Sequence, residues 1–132
     1  MTDNASSEPI VTPFEAIGGE DQVRQLVNRF YDLMEGDPAY AALRAMHAES
    51  LDEMRTSLTG FLTGWLGGPR DWFAAHPGVC IMSAHAKIAV TPETARQWVD
   101  AMGRALAEQP MDEAIREAIS AAFSRMAAGM AR

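Results

Sequence analysis

Apolar residues recur at three- and four-residue intervals along most of the chain, and that spacing predicts helices. From Asp21 they fall at Val23, Leu26, Val27, Phe30, Tyr31 and Met34, one face of a helix that stops near Glu35-Gly36-Asp37-Pro38. Leu51, Met54, Leu58, Phe61, Leu62 and Trp65 share a second face, broken by Gly67-Gly68-Pro69. Trp98, Met102 and Leu106 mark the inner side of a third helix from Thr91-Pro92 to about Gln109, ended by Pro110. Ile115, Ile119, Phe123 and Met126 form the stripe of a fourth, which Asp112 can cap. Thr12-Pro13-Phe14-Glu15 combines a capping threonine, proline at the first helical position and glutamate three residues after the cap, so a short helix begins there and ends at Gly18-Gly19. Ser50-Leu51-Asp52-Glu53 reads as a second capping box, and a short segment spans Tyr40 to Met46. Between Arg70 and Val90 the repeat is lost, which predicts a loop with one or two helical turns. No alternating strand pattern of useful length occurs. The expected fold class is all-α, a single domain over residues 13–132 behind a flexible tail at 1–12.

Charge and cysteine usage narrow the classes of partner. Eighteen acids against eleven bases give a formal charge of -7, which argues against nucleic acid or an anionic membrane as partner. The single cysteine, Cys80, excludes an internal disulfide framework and any thiol cluster for zinc or iron-sulfur, and reads as a small buried hydrophobe. That usage fits a reducing cytoplasm. The N-terminal residues lack the basic and apolar regions of a signal peptide, and no apolar run reaches the length of a membrane span. A cytoplasmic protein, monomeric or weakly dimeric, is the expectation.

The candidate chemistry lies in polar groups set into apolar faces. Tyr31 and Trp98 each carry a donor that needs a partner if buried. His47 and His85 are flanked by apolar residues, and His85 sits in the run CIMSAHAKIAV at 80–90. Taken alone, a lone histidine reads as a core or surface residue, and an aromatic stripe is more often core than a cofactor box. His76, before Pro77-Gly78, reads as a turn residue.

The ordered set of Arg29-Phe30-Tyr31, Phe61-Leu62-Thr63-Gly64-Trp65-Leu66-Gly67-Gly68-Pro69, His85 and then Trp98 resembles the truncated haemoglobins, and within them group II. The likeness runs from about Phe14 to Met126. It implies a globin-like, two-over-two helical sandwich around a b-type haem, with His85 as the proximal iron ligand. By the same resemblance Tyr31 and Trp98 are distal donors to a bound ligand, and His47 stands at a third distal position. Met54 and Leu58 face the haem from the distal helix. Phe30, Phe61, Met82, Ile88 and Met102 look like pocket walls, and Arg55 and Lys87 are candidate partners of the propionates. The implied function is binding of dioxygen, NO and CO, with NO dioxygenase or peroxidase-type chemistry if a reductase supplies electrons. A haem-free helical interaction module that keeps the globin fold is the alternative, and His47 or Tyr31 as a sixth iron ligand in the resting state is a further one.

Overall fold

The computed structural model describes residues 12–77 and 90–130, which are helical without strands. The helices are α1 (Pro13–Ala16), α2 (Glu20–Gly36), α3 (Ala41–Ala45), α4 (Asp52–Trp65), α5 (Asp71–Ala75), α6 (Pro92–Ala107) and α7 (Glu113–Met130), with a 3-10 turn at Pro38–Tyr40 before α3. The tail and the segment that carries Cys80, Met82, His85, Lys87 and Ile88 lie outside the described residues.

Local chemistry sets most of the boundaries. Thr12 accepts from the Glu15 amide while the Glu15 carboxylate accepts from the Thr12 amide, the reciprocal box expected at the start of α1. Thr91 and Thr94 make the equivalent pair at α6, with Pro92 in the first turn. The box expected at Ser50 does not form. Leu51, only 3% exposed, is drawn into the core and becomes the N-terminal flank of α4, and the exposed Ser50 hydroxyl accepts from the Asp52 amide instead. The far end of α6 is closed by Arg116 of α7, which donates to the carbonyls of Leu106 and Gln109.

Helix α2 lies at the centre. It packs on α4 and on α6, while α6 pairs with α7, so two helix pairs meet through the α2–α6 contact. Val23, Leu26, Val27, Phe30, Tyr31, Leu33 and Met34 of α2 are buried, with Leu62 of α4, Met102 and Leu106 of α6 and Phe123 of α7 against them.

Two glycines one turn apart on α4 seat the short helix α5. A methyl group on Gly64 would lie 2.5 Å from the Phe73 ring, and one on Gly60 would lie 2.8 Å from Cδ1 of Trp72. Trp72 also stands edge-on to both Phe73 and Phe61, and Phe73 meets Phe61 at a tilt. His76, exposed at the end of α5, stacks on Trp72 at 4.2 Å and donates from Nδ1 to the Trp72 carbonyl, in keeping with a turn residue. Gly64→Ala is expected to lower the urea midpoint, because overpacking costs about 1–3 kcal/mol and outweighs the roughly 1 kcal/mol gained in helix propensity. A midpoint at or above that of the parent protein would show that Phe73 can swing aside freely.

Candidate functional site

Helices α2 to α7 line a cavity of about 430 Å3, within the range of small-molecule and cofactor sites. Its walls are mostly apolar: Leu43 and Met46 from α3 and its end, Met54, Leu58 and Phe61 from α4, and Met126 and Met130 from α7. Tyr31, His47, Ser57, Trp72, Thr94 and Trp98 break that character. Val90, which resumes the chain after the segment bearing His85, is also at the wall.

Tyr31 is held by its surroundings. Its ring meets Phe30 edge-on at 4.9 Å and His47 at 6.0 Å, and the Arg55 guanidinium lies 5.7 Å from its centre. Burial pushes the phenol pKa well above the usual value, with Arg55 opposing weakly, so the hydroxyl stays a neutral donor at physiological pH. Because the folded-state pKa lies above the unfolded one, this contribution to stability is complete below the ordinary tyrosine range near 10 and is lost as pH rises beyond it. Tyr31→Phe is therefore expected to flatten the alkaline limb of a stability-versus-pH curve. An unchanged limb would mean that other groups govern alkaline unfolding.

Trp98 is half-buried, with Phe30 at 5.7 Å on one side and Phe123 at 5.5 Å on the other. Tyr31 and Trp98 line the cavity and make no hydrogen bond to a described residue, and Trp72, also on the wall, has a buried indole N–H without a partner among the described residues. His47 differs, because its Nδ1 lies 2.9 Å from the Leu43 carbonyl oxygen. A carbonyl can only accept, so Nδ1 carries the proton, and in the neutral ring Nε2 is an acceptor. His47 can donate from Nε2 only as the imidazolium. The Gln97 side-chain oxygen accepts from the Leu43 amide at 3.0 Å, so α6 fixes the height of the turn that carries His47.

Several expected residues fall elsewhere. Phe30 and Met102 are fully buried and do not line the cavity. Phe30 backs Tyr31 and Trp98, and Met102 belongs to the core between helices. Arg55 is turned to α2, where it donates to the Asn28 carbonyl and side chain, to Asp32 at 2.9 Å and to Glu35 at 3.5 Å. It borders a separate polar cleft with Arg24, Thr63 and Trp72 rather than the apolar cavity. His85, Met82, Lys87 and Ile88 lie outside the described residues. Conversely, Trp72, Thr94, Ala95, Met126 and Met130 line the cavity, although the sequence does not mark them as site residues. Met126 was visible as part of the α7 stripe, and Thr94-Ala95 lie one turn before Trp98. Trp72 gave no periodic signal.

A mostly apolar cavity with ring donors at Tyr31, Trp98 and Trp72, an imidazole and no charged side chain among the described wall residues suits a flat apolar group that presents a small polar ligand. The residues thus fit a haem. The comparisons with known proteins agree. Residues 12–132 match the family described as bacterial-like globin. The chain is 31% identical over 105 residues to the group 2 truncated hemoglobin YjbI of Bacillus subtilis, covering 80% of this chain and 76% of that one. It superposes on the group II 2-on-2 hemoglobin of Agrobacterium tumefaciens with a TM-score of 0.90 at 34% identity, over 96% of this chain and 98% of the other. The cold-adapted truncated hemoglobin of Pseudoalteromonas haloplanktis TAC125 gives 0.88 at 32%, over 92% and 98%. Among the described residues no helix is long and apolar enough to cross a membrane. The chain belongs to the bacterial-like globin family, among its group II truncated haemoglobins, and is a haem-binding globin of two-over-two architecture.

Proposed function

We propose that this globin binds dioxygen, and also NO and CO, at a b-type haem whose proximal ligand is His85. When bound, the haem supplies an iron centre able to take a diatomic ligand. The observation that carries the reading is the set of ring donors on the wall of a mostly apolar cavity, the Tyr31 hydroxyl and the indole N–H groups of Trp98 and Trp72, of which that of Trp72 is buried without a protein acceptor. A dry, low-dielectric wall strengthens any hydrogen bond they make and leaves them costly to strand. The apolar faces of Leu58, Phe61 and Met126 exclude water from the same space. Arg55, committed to α2, leaves Lys87 as the remaining sequence candidate for the propionates. Slow release from such donors favours sensing or redox chemistry, such as NO dioxygenation or peroxide reduction with an external electron source, over bulk transport. The protein would act in the cytoplasm, as a monomer or weak dimer.

The test is an absorption spectrum of hemin-treated protein, as the parent chain and as His85→Gly, in ferric, dithionite-reduced and CO-bound forms. A histidine-ligated spectrum in the parent that changes in the variant is the expected result. A colourless parent that takes up no hemin would leave a haem-free helical interaction module as the reading.

A further inference from the structure

One run of aromatic rings leads away from the cavity. Tyr31 and Trp98 line it, and Phe30 joins them at 4.9 and 5.7 Å. Trp98 then meets Phe123 edge-on at 5.5 Å, and Phe123 stacks on Trp65 at 5.3 Å with the rings 13° from parallel. Phe123 is buried, only 2% exposed, whereas Trp65, the last residue of α4, keeps part of its surface in solvent and does not line the cavity. The run thus begins at the cavity wall and ends outside it, with one phenyl ring between two indoles. Indole is far more readily oxidised than a phenyl ring, and a single intervening phenyl ring is a short gap for an electron to cross.

We propose that Trp98, Phe123 and Trp65 relay single electrons into the cavity, and that Trp65 is where a reducing substrate of the phenol class meets the protein. This deepens the peroxide-reducing reading above and rests on it. Hydrogen peroxide is the oxidant: its O–O bond breaks as it takes up two electrons and two protons, giving two waters. Two phenols supply them, each losing its hydroxyl hydrogen as one electron and one proton and leaving as a phenoxyl radical. Trp98 passes an electron to the cavity and is refilled from Trp65 across Phe123, and the phenol refills Trp65. Phe123 is a bridge and is not itself oxidised. Without phenol, Trp65 supplies one electron and its N–H proton and remains as a neutral indolyl radical, while a second hydrogen peroxide supplies the other electron and proton and leaves as a hydroperoxyl radical.

Trp72 offers a competing exit, since it also lines the cavity and stacks on the exposed His76. Its ring contacts reach Phe61, Phe73 and His76 but neither Tyr31 nor Trp98, so the relay is assigned to Trp65. Sequence makes the two separable, because cleavage after Lys and Arg places Trp65 in the peptide 56–70, Trp72 in 71–87 and Trp98 in 97–104.

The experiment treats the hemin-loaded protein with hydrogen peroxide and a nitroso spin trap, without phenol, and maps the adduct by peptide mass spectrometry. The parent should carry it on 56–70. Trp65→Phe should shift it to 97–104 and slow oxidation of a bulky phenol, with the CO-bound spectrum unchanged. Phe123→Leu, which keeps the site filled with an aliphatic side chain, should lower the 56–70 adduct while Trp65 itself is intact. An adduct confined to 71–87, one unaffected by Phe123→Leu, or none at all in a protein with a normal CO spectrum would overturn the relay while leaving the haem reading in place. A protein with no Soret band would overturn both.

Discussion

Phe30→Ala is expected to cost about 3–5 kcal/mol of folding stability, the range for removing a buried phenylalanine ring. Phe30 is fully buried at the centre of α2 and touches both Tyr31 and Trp98, so no neighbour can collapse into the space without releasing one of them. Against a total stability on the order of 5–15 kcal/mol, such a loss brings the domain close to unfolding at ordinary temperature. Denaturant titration gives the size of the effect, and the near-ultraviolet dichroism of Tyr31 and Trp98 reports whether their packing loosens first. A loss below about 1 kcal/mol, the scale of a tolerated core swap, would mean that the centre of α2 does not hold the two helix pairs together. The substitution also separates two roles, because Phe30 stands behind the cavity wall and not in it.

The second large effect concerns ligand release. Tyr31→Phe keeps the ring and its edge contacts but removes the hydroxyl, so it should speed dioxygen release with little change in stability. A hydrogen bond in a dry cavity is worth about 1–2 kcal/mol net, which corresponds to roughly a five- to thirtyfold faster off-rate. Stopped-flow displacement of dioxygen by CO measures it directly. Trp98→Phe should act in the same direction, and the double variant shows by its departure from additivity whether the donors serve one ligand together. Off-rates equal to that of the parent protein in both single variants would remove Tyr31 and Trp98 from the proposed role.

The helices were legible in the sequence wherever burial is one-sided, because a periodic face records such burial directly. The stripe from Val23 to Met34, the breaks at Gly18-Gly19 and Gly67-Gly68 and the cap at Thr91 all lie where the pattern placed them. Ser50 was misplaced because a capping signal competes with the burial of the adjacent Leu51, and burial prevailed. The site was less legible. Spacing indicates that Phe30, Met102 and Arg55 share helices with cavity residues, but not which side of the helix the cavity takes. Arg55 shows why: it has three acceptor residues on α2 and no acceptor on the apolar wall. Trp72 is the converse case, a wall residue on a five-residue helix too short to show a period.

The seating of α5 on Gly60 and Gly64 has an evolutionary consequence. The two glycines are complementary in shape to Trp72 and Phe73, so a larger residue at 60 or 64 becomes acceptable only alongside a smaller ring at 72 or 73. These four positions should therefore drift as a set in related sequences. A lineage that changed one of them alone would have to re-aim the start of the chain that leads toward His85, so pressure to retain a prosthetic group would reach two glycines that line no part of the apolar wall.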